Sequence, residues 1–236
     1  MRRALLLTAY DRPRYLAEVL RSLAAADGLD GWHVRVAVEP GERQQEVLAL
    51  VHGALPDADV HVNPERLGVA VNPHRHLSAL FADGFDFVAR TEDDLVVADD
   101  VLRLLEHCST RCVDDAEVAV ACAFSPAEAG ADPALLHRTT AFSPWLWGTW
   151  RDRWESLIGP TWDLDYSTWN DSPGFESGWD WNLNTRVLPA HGLTTIAPLA
   201  SRVQNIGVVG QHGTAENHEQ AASFRADFGA QDYREG

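Results

Sequence analysis

Short apolar runs alternate with amphipathic stretches through residue 91, and this rhythm leaves few folds open to the chain. Residues 4–9 (ALLLTA), 32–38 (WHVRVAV), 60–63 and 85–91 (FDFVART) read as strands. The first is apolar without interruption, as expected of a strand covered on both faces. Between them lie three helical stretches. Pro13 stands where a helix begins, and Leu16, Val19, Leu20 and Leu23 share one face of residues 15–24. Residues 44–53 and 72–82 supply the other two helices. This spacing predicts an α/β fold, with a mixed, mostly parallel central sheet flanked by helices. Further along, residues 99–112 read as a helix capped by Asp99 or Asp100, residues 117–124 and 193–198 as strands, and 125–133 as a loop.

In parallel sheets, ligands bind at the carboxyl ends of the strands. Here each of the first four strands ends in polar residues: Tyr10, Asp11 and Arg12; Glu39; Asn63 through Arg66; and Glu92, Asp93 and Asp94. Four such endings on one edge predict a site. Three adjacent carboxylates repel one another unless a cation sits among them. A lone EDD would read better as a charged turn capping the next helix; the other three strand ends favour the site.

The length of 236 residues suits a single domain with a substantial core. A net charge of −16 argues against nucleic acid or an anionic membrane surface as partner, so an anionic substrate must be met by local arginines or by a metal. All 19 basic residues are arginine, which suggests a GC-rich coding sequence and a bacterial source. The opening apolar run is too short for a secretion signal, and no stretch approaches the ~18 apolar residues of a membrane span. Cys108, Cys112 and Cys122 read as reduced thiols of a cytoplasmic protein. Cys108 and Cys112 stand four apart on the predicted helix, as two ordinary thiols or, alternatively, a metal pair.

The composition changes at Phe142. Eight of the nine tryptophans fall between Trp145 and Trp181. Indoles fill cores and also stack on sugars or bases, so this stretch is expected either as core or as an acceptor-binding wall. The segment GFESGWDWNLN places Glu176 and Asp180 among aromatics, and SRVQNIGVVGQHGT follows the last predicted strand. The tail beyond Thr214 is polar and is expected to attach loosely, with one short helix at 219–228.

Four stretches together resemble the nucleotide-sugar glycosyltransferases of the GT-A fold, and more specifically the N-acetylglucosaminyltransferase I family. They are LLLTAYDRP, NPERLGVAVNPHRHLSAL leading into the EDDL acid motif of DXD type, GWDW, and SRVQNIGVVGQHG. The resemblance spans roughly residues 5–213; the chain is shorter than the family's members and has no match to their membrane anchor. It implies one GT-A domain, with a nucleotide-sugar-binding half (1–124), an acceptor-binding half (125–214) and a tail (215–236). The implied donor is a UDP-sugar, with GlcNAc as the sugar, held with Mn²⁺ or Mg²⁺. The acceptor would be a carbohydrate or natural product. In that scheme Asp94 holds the metal and His212 approaches it. Ala9, Tyr10, Arg12, Glu39, Arg66, His74, Glu92, Asp93 and Arg202 surround the nucleotide-sugar; Glu39 reads the base, and Arg202 either pairs with the diphosphate or fixes the last loop. Asp180 is the base for a direct, inverting displacement, with Glu176 in reserve. Two alternatives remain. One is a nucleotidyltransferase of similar fold, although the loop AYDRPRY lacks the glycine-rich, lysine-bearing form that chemistry favours. The other is a non-catalytic carbohydrate- or nucleotide-binding domain.

Overall fold

The computed structural model describes residues 1–126, 131–164, 178–207, 228–229 and 231–236. Four strands, β1 (Arg3–Ala9), β2 (His33–Val38), β3 (Asp59–Val62) and β4 (Phe87–Glu92), run parallel in the order β3-β2-β1-β4. The helices α1 (Pro13–Ala24), α2 (Gln44–Ala54) and α3 (Gly68–Ala82) connect them. After β4 come β5 (Leu95–Val97), α4 (Val101–Arg111), β6 (Val118–Cys122), β7 (Leu135–Thr139) and β8 (Trp147–Trp150). A short turn α5 (Arg151–Arg153) continues into a wide turn at Trp154–Ile158. The last elements are α6 (Trp179–Asn182), α7 (Leu188–Ala190), β9 (Thr194–Pro198), β10 (Val203–Asn205) and β11 (Arg234–Glu235). Among the described residues the sheet has nine strands in the order β11-β7-β9-β6-β8-β4-β1-β2-β3, and β5 and β10 form a separate antiparallel pair. The expected mixed α/β fold, mostly parallel at its centre and flanked by helices, is what the chain adopts.

The two faces of the sheet are covered differently. Leu5, Leu7 and Ala9 of β1 and Phe87 and Ala89 of β4 pack beneath α1, α2 and α4. Leu16, Val19, Leu20 and Leu23 of α1 are all at most 1% exposed, each contributing roughly 1.5–3 kcal/mol of apolar burial. On the other face, Ala4, Leu6, Ala37 and Val88 lie under Leu77, Leu80 and Phe81 of α3 and under Trp147, Trp154, Trp162 and Trp179. Trp162 and Trp179 stack with centroids 4.3 Å apart and planes 3° apart, and Trp147 lies 6.0–6.2 Å from both. The tryptophan-rich stretch is therefore largely core, which corrects the acceptor-wall reading for these four residues. Trp181, at 37% exposed, is the one that faces outward among the described tryptophans.

Several element limits moved for identifiable reasons. The third helix was expected from residue 72, yet α3 begins at Gly68 and carries Pro73 inside it. The carboxylate of Glu39 accepts from the backbone amides of Leu67 (2.9 Å) and Gly68 (2.8 Å), so a turn ahead of the proline is anchored from outside the helix. Asp100 does stand at the N-cap of α4, but its side chain caps nothing; it is paired with Arg202. Strands β5, β7, β8, β10 and β11 were not among the strands expected from the sequence. The chain's last residues are docked rather than loose: β11 pairs with β7, and the Tyr233 hydroxyl donates to Asp100 Oδ2 at 2.7 Å. The helix expected at 219–228 lies outside the described residues, apart from its final position. Cys108, Cys112 and Cys122 are buried free thiols. No helix among the described residues is long and apolar enough to cross a membrane.

A buried polar network ties β2, β3 and α3 together. Asn63 Nδ2 donates to Asn72 Oδ1 (3.0 Å) and Glu39 Oε2 (3.3 Å), so its Oδ1 is left to accept from His76 Nε2 at 3.0 Å. Burial, helped by the charges of His61, Arg35 and Arg75, lowers the pKa of His76 from 6.5 to about 4. The unfolded chain thus takes up this proton first. The stability His76 contributes is complete above pH 6.5 and drains as pH falls towards 4. Urea unfolding of the wild type should show a loss on the order of 1 kcal/mol by about pH 5. In His76→Gln, which keeps a donor for Asn63 but cannot titrate, this part of the acid loss should disappear.

Candidate active site

The parallel register brings the four polar strand ends to one edge. Ala9 pairs with Val38, Val38 with Val62, and Thr8 with Glu92. Tyr10, Glu39, Asn63 and Glu92 therefore continue from neighbouring strands along the same side of the sheet.

The acids and Arg12 form the centre of this edge. Arg12 is the residue before α1, and its guanidinium reaches both Asp93 Oδ1 and Asp94 Oδ2, the latter at 2.7 Å. Asp93 also accepts the Tyr10 amide through Oδ2 at 3.1 Å. Both oxygens of Asp93 are thus engaged in bracing the end of β1, and the residue is 3% exposed. Asp94 is 6% exposed, and among the described residues its buried Oδ1 has no hydrogen-bond partner. Burial first, then the charges of Glu92 and Asp93, push the Asp94 carboxyl up to about 7 against the pull of Arg12. Glu92 Oε1 is paired with Arg90 Nη2 at 2.6 Å.

The closing run is brought to this centre by β10, which pairs with β5, the strand that follows the acids. Ile206 N–H then donates to Asp94 O at 2.8 Å. Gly207 backs directly onto the Asp94 carboxylate, and a Cβ at this position would collide with Oδ2. The resemblance of SRVQNIG to a family's closing run thus has a geometric counterpart: the run packs on the acid motif. His212, five residues further on, lies outside the described residues.

Asp180 is in the first turn of α6, with Gly178 at the N-cap in a left-handed backbone conformation (φ 114°) that favours glycine. The N-cap of this helix is thus Gly178 and not Asp180. The preceding Trp179 lies under the Arg90 guanidinium, 4.8 Å from its ring centroid. Arg90 thus stands between the helix carrying Asp180 and the acid motif. It is 1% exposed, and among the described residues its Nε and Nη1 have no hydrogen-bond partner, a costly arrangement for a buried cation. Sequence reasoning passed over this residue; the signal was an arginine inside the apolar run FDFVART. Glu176 lies outside the described residues.

Other expected contacts are placed elsewhere. Arg202 is fully buried, with Nε and Nη2 on Asp100 (2.9–3.1 Å) and Nη1 on Ala200 O (2.5 Å). These contacts fix the last loop. His74 Nε2 bonds Gly159 O at 3.2 Å, and its ring packs on Trp154 and Trp162, so it belongs to the tryptophan layer. Glu39 is 4% exposed, and its carboxylate accepts the backbone amides at the start of α3. Ala9 is buried and its carbonyl accepts the Glu39 amide at 2.9 Å. Tyr10 and Arg66 do come together at the rim: the Arg66 guanidinium lies 4.4 Å over the Tyr10 ring.

The donor set suits a hard divalent cation in one respect. Asp94 offers an oxygen unpartnered among the described residues, in a cluster whose three carboxylates outnumber the two arginines, Arg12 and Arg90, paired with them. No group of three His, Cys, Asp or Glu able to hold a metal occurs among the described residues. A Mg²⁺-type site of one or two carboxylates is ordinarily completed by substrate phosphates and water, and that is the form these residues fit.

A scan against known protein families finds no match. Solved structures of similar fold exist at low identity. A mannosyltransferase, PcManGT from Pyrobaculum calidifontis in complex with GDP-Man and Mn²⁺, matches with TM-score 0.54 and 17% identity over 84% of this chain and 54% of that one. S. aureus TarS 1-349 matches with TM-score 0.57 and 12% identity over 88% and 61%. Its complex with UDP-GlcNAc gives TM-score 0.60 and 13% identity over 95% and 62%. These neighbours are GT-A glycosyltransferases, and the likeness establishes the fold of this chain. The chain spans about three-fifths or less of their length.

Gly207→Ala tests the packing of the closing run on the acids. The added methyl must displace either Asp94 or the strand, at a cost of about 1–3 kcal/mol in urea unfolding. An unchanged midpoint would mean that the carboxylate yields freely.

Proposed function

We propose that this chain is a glycosyltransferase that takes a nucleotide-diphosphosugar, with UDP as the expected nucleotide and a divalent metal as cofactor, and transfers the sugar with inversion. The observation that carries the reading is the acid motif at the carboxyl edge of a GT-A sheet, buried beside Arg12 with one Asp94 oxygen unpartnered. A buried carboxylate left in that state calls for a cation.

In this reading Asp94 holds the metal, Mn²⁺ or Mg²⁺, which when bound offsets the charge that develops on the departing diphosphate. Arg12 supplies a second positive group for the diphosphate, and Asp93 orients Arg12 from below. The stacked Tyr10 and Arg66 give the nucleobase a flat surface at the rim. Asp180 takes the proton of the acceptor hydroxyl as its oxygen bonds to the anomeric carbon. The bond from that carbon to the diphosphate breaks, and its electron pair leaves with the phosphate oxygen. One displacement of this kind inverts the configuration. The neighbours' complexes hold GDP-Man in one case and UDP-GlcNAc in the other, so GlcNAc stays the expectation from the sequence resemblance. A carbohydrate or natural-product hydroxyl is the acceptor class.

Calorimetry across UDP-, GDP-, dTDP- and CMP-sugars, with and without Mn²⁺, tests the donor site. One nucleotide should bind only with metal, and Asp94→Asn should weaken that binding at least about tenfold. Binding by none of them, in a folded protein, would overturn the reading. A second test concerns the base. Asp180→Asn should keep donor binding and lose about 10²–10⁴ in transfer rate, and full turnover in that variant would remove Asp180 from the role.

A further inference from the structure

Both oxygens of Asp94 are closed to an arriving cation. Oδ1 is buried, and Oδ2 is taken by Arg12 at 2.7 Å and backed by Gly207. Some group must move before a metal reaches this carboxylate. Gly207 is backbone, held in line by the bond from Ile206 N–H to Asp94 O. Asp93 is tied to the Tyr10 amide. Arg12 is the movable member: its side chain is 30% exposed, against 8% for Asp94 and 4% for Asp93. Its backbone is fixed at the start of α1, where its carbonyl accepts Leu16 N–H at 3.0 Å, so a side-chain rotation is enough. The Tyr15 ring, 5.9 Å from the guanidinium, lies alongside.

A guanidinium forks onto phosphate oxygens as readily as onto carboxylates. Resting on the nucleotide-and-metal reading above, we infer that Arg12 is a latch on the cation site. It compensates the acid pair until a diphosphate draws it away. The acids then lose their cation, and the metal takes its place on Asp94. Metal and nucleotide consequently bind as a unit, each raising the affinity of the other by the same factor. Arg12 is a positioning residue in this sense, acting through Asp94 as well as on the diphosphate.

The test titrates Mn²⁺ calorimetrically into wild type and Arg12→Gln, with UDP, with GDP and with neither, and follows thermal unfolding with and without Mn²⁺. Wild type should bind Mn²⁺ at least about tenfold more tightly with its nucleotide than alone. Arg12→Gln should bind Mn²⁺ alone at least about tenfold more tightly than wild type does, with little added by nucleotide, and should gain more thermal stability from Mn²⁺. Should Arg12→Gln not fold, Arg12→Lys, which keeps the charge without the fork, should move in the same direction by less. If wild type binds Mn²⁺ with a nucleotide but the variant binds Mn²⁺ alone no more tightly, the latch is overturned and the proposed function stands. If wild type takes up no Mn²⁺ with either of these nucleotides, nor with dTDP or CMP, both are overturned.

Discussion

A fully buried ion pair, Arg202 on Asp100, sets the position of the closing run and through it the geometry of the acid site. Burying two charges is costly, and their attraction offsets this only with good geometry and further hydrogen bonds. Here both conditions hold. Arg202 meets Asp100 through two nitrogens and spends the remaining donors on the carbonyls of Ala200 and Pro133. The Tyr233 hydroxyl adds a third group on Asp100, so the end of the chain is held by the same centre. With Arg202 fixed, β10 runs beside β5, and Gly207 arrives against Asp94.

The acid motif is thereby enclosed from several directions. β1 contributes the Tyr10 amide, the start of α1 contributes Arg12, and the closing run contributes Gly207. Water that would otherwise solvate Asp93 and Asp94 is excluded, and the carboxyl of Asp94 rises to about 7 as a result. One guanidinium serves two buried acids, with Glu92 held separately by Arg90. The excess negative charge is a property of the assembled edge and not of any one strand.

The second half of the chain reaches this edge through aromatic packing. Trp147, Trp162 and Trp179 layer over the face of the sheet that α3 also covers. Arg90 projects from β4 into this layer and lies over Trp179. A single side chain therefore touches both the acid motif, through Glu92, and the start of the helix that carries Asp180. The tryptophan packing fixes where that helix begins.

Much of the parallel half was legible in the sequence, because its strands are apolar runs and its helices have one apolar face. The same pattern placed Tyr10, Arg12, Glu39 and the three acids at strand ends, since a parallel sheet with short connections leaves those ends on one edge. The antiparallel strands β5, β8 and β10 were not legible. They are three or four residues long, and what makes them strands is their partner in space. The uses of individual polar residues were equally hidden. Nothing local distinguishes Glu39 capping α3 from an acid facing a ligand, or Arg202 locked on Asp100 from an arginine awaiting a phosphate, because the partners lie 28 and 102 residues away in the chain. The sequence by itself determined the parallel half of the sheet, its helices and the edge on which the acids would gather, because these follow from local periodicity. The tertiary structure decided which of the charged groups are spent on one another and which carboxylate oxygen is left unpaired, because that depends on long-range contacts and on the exclusion of water.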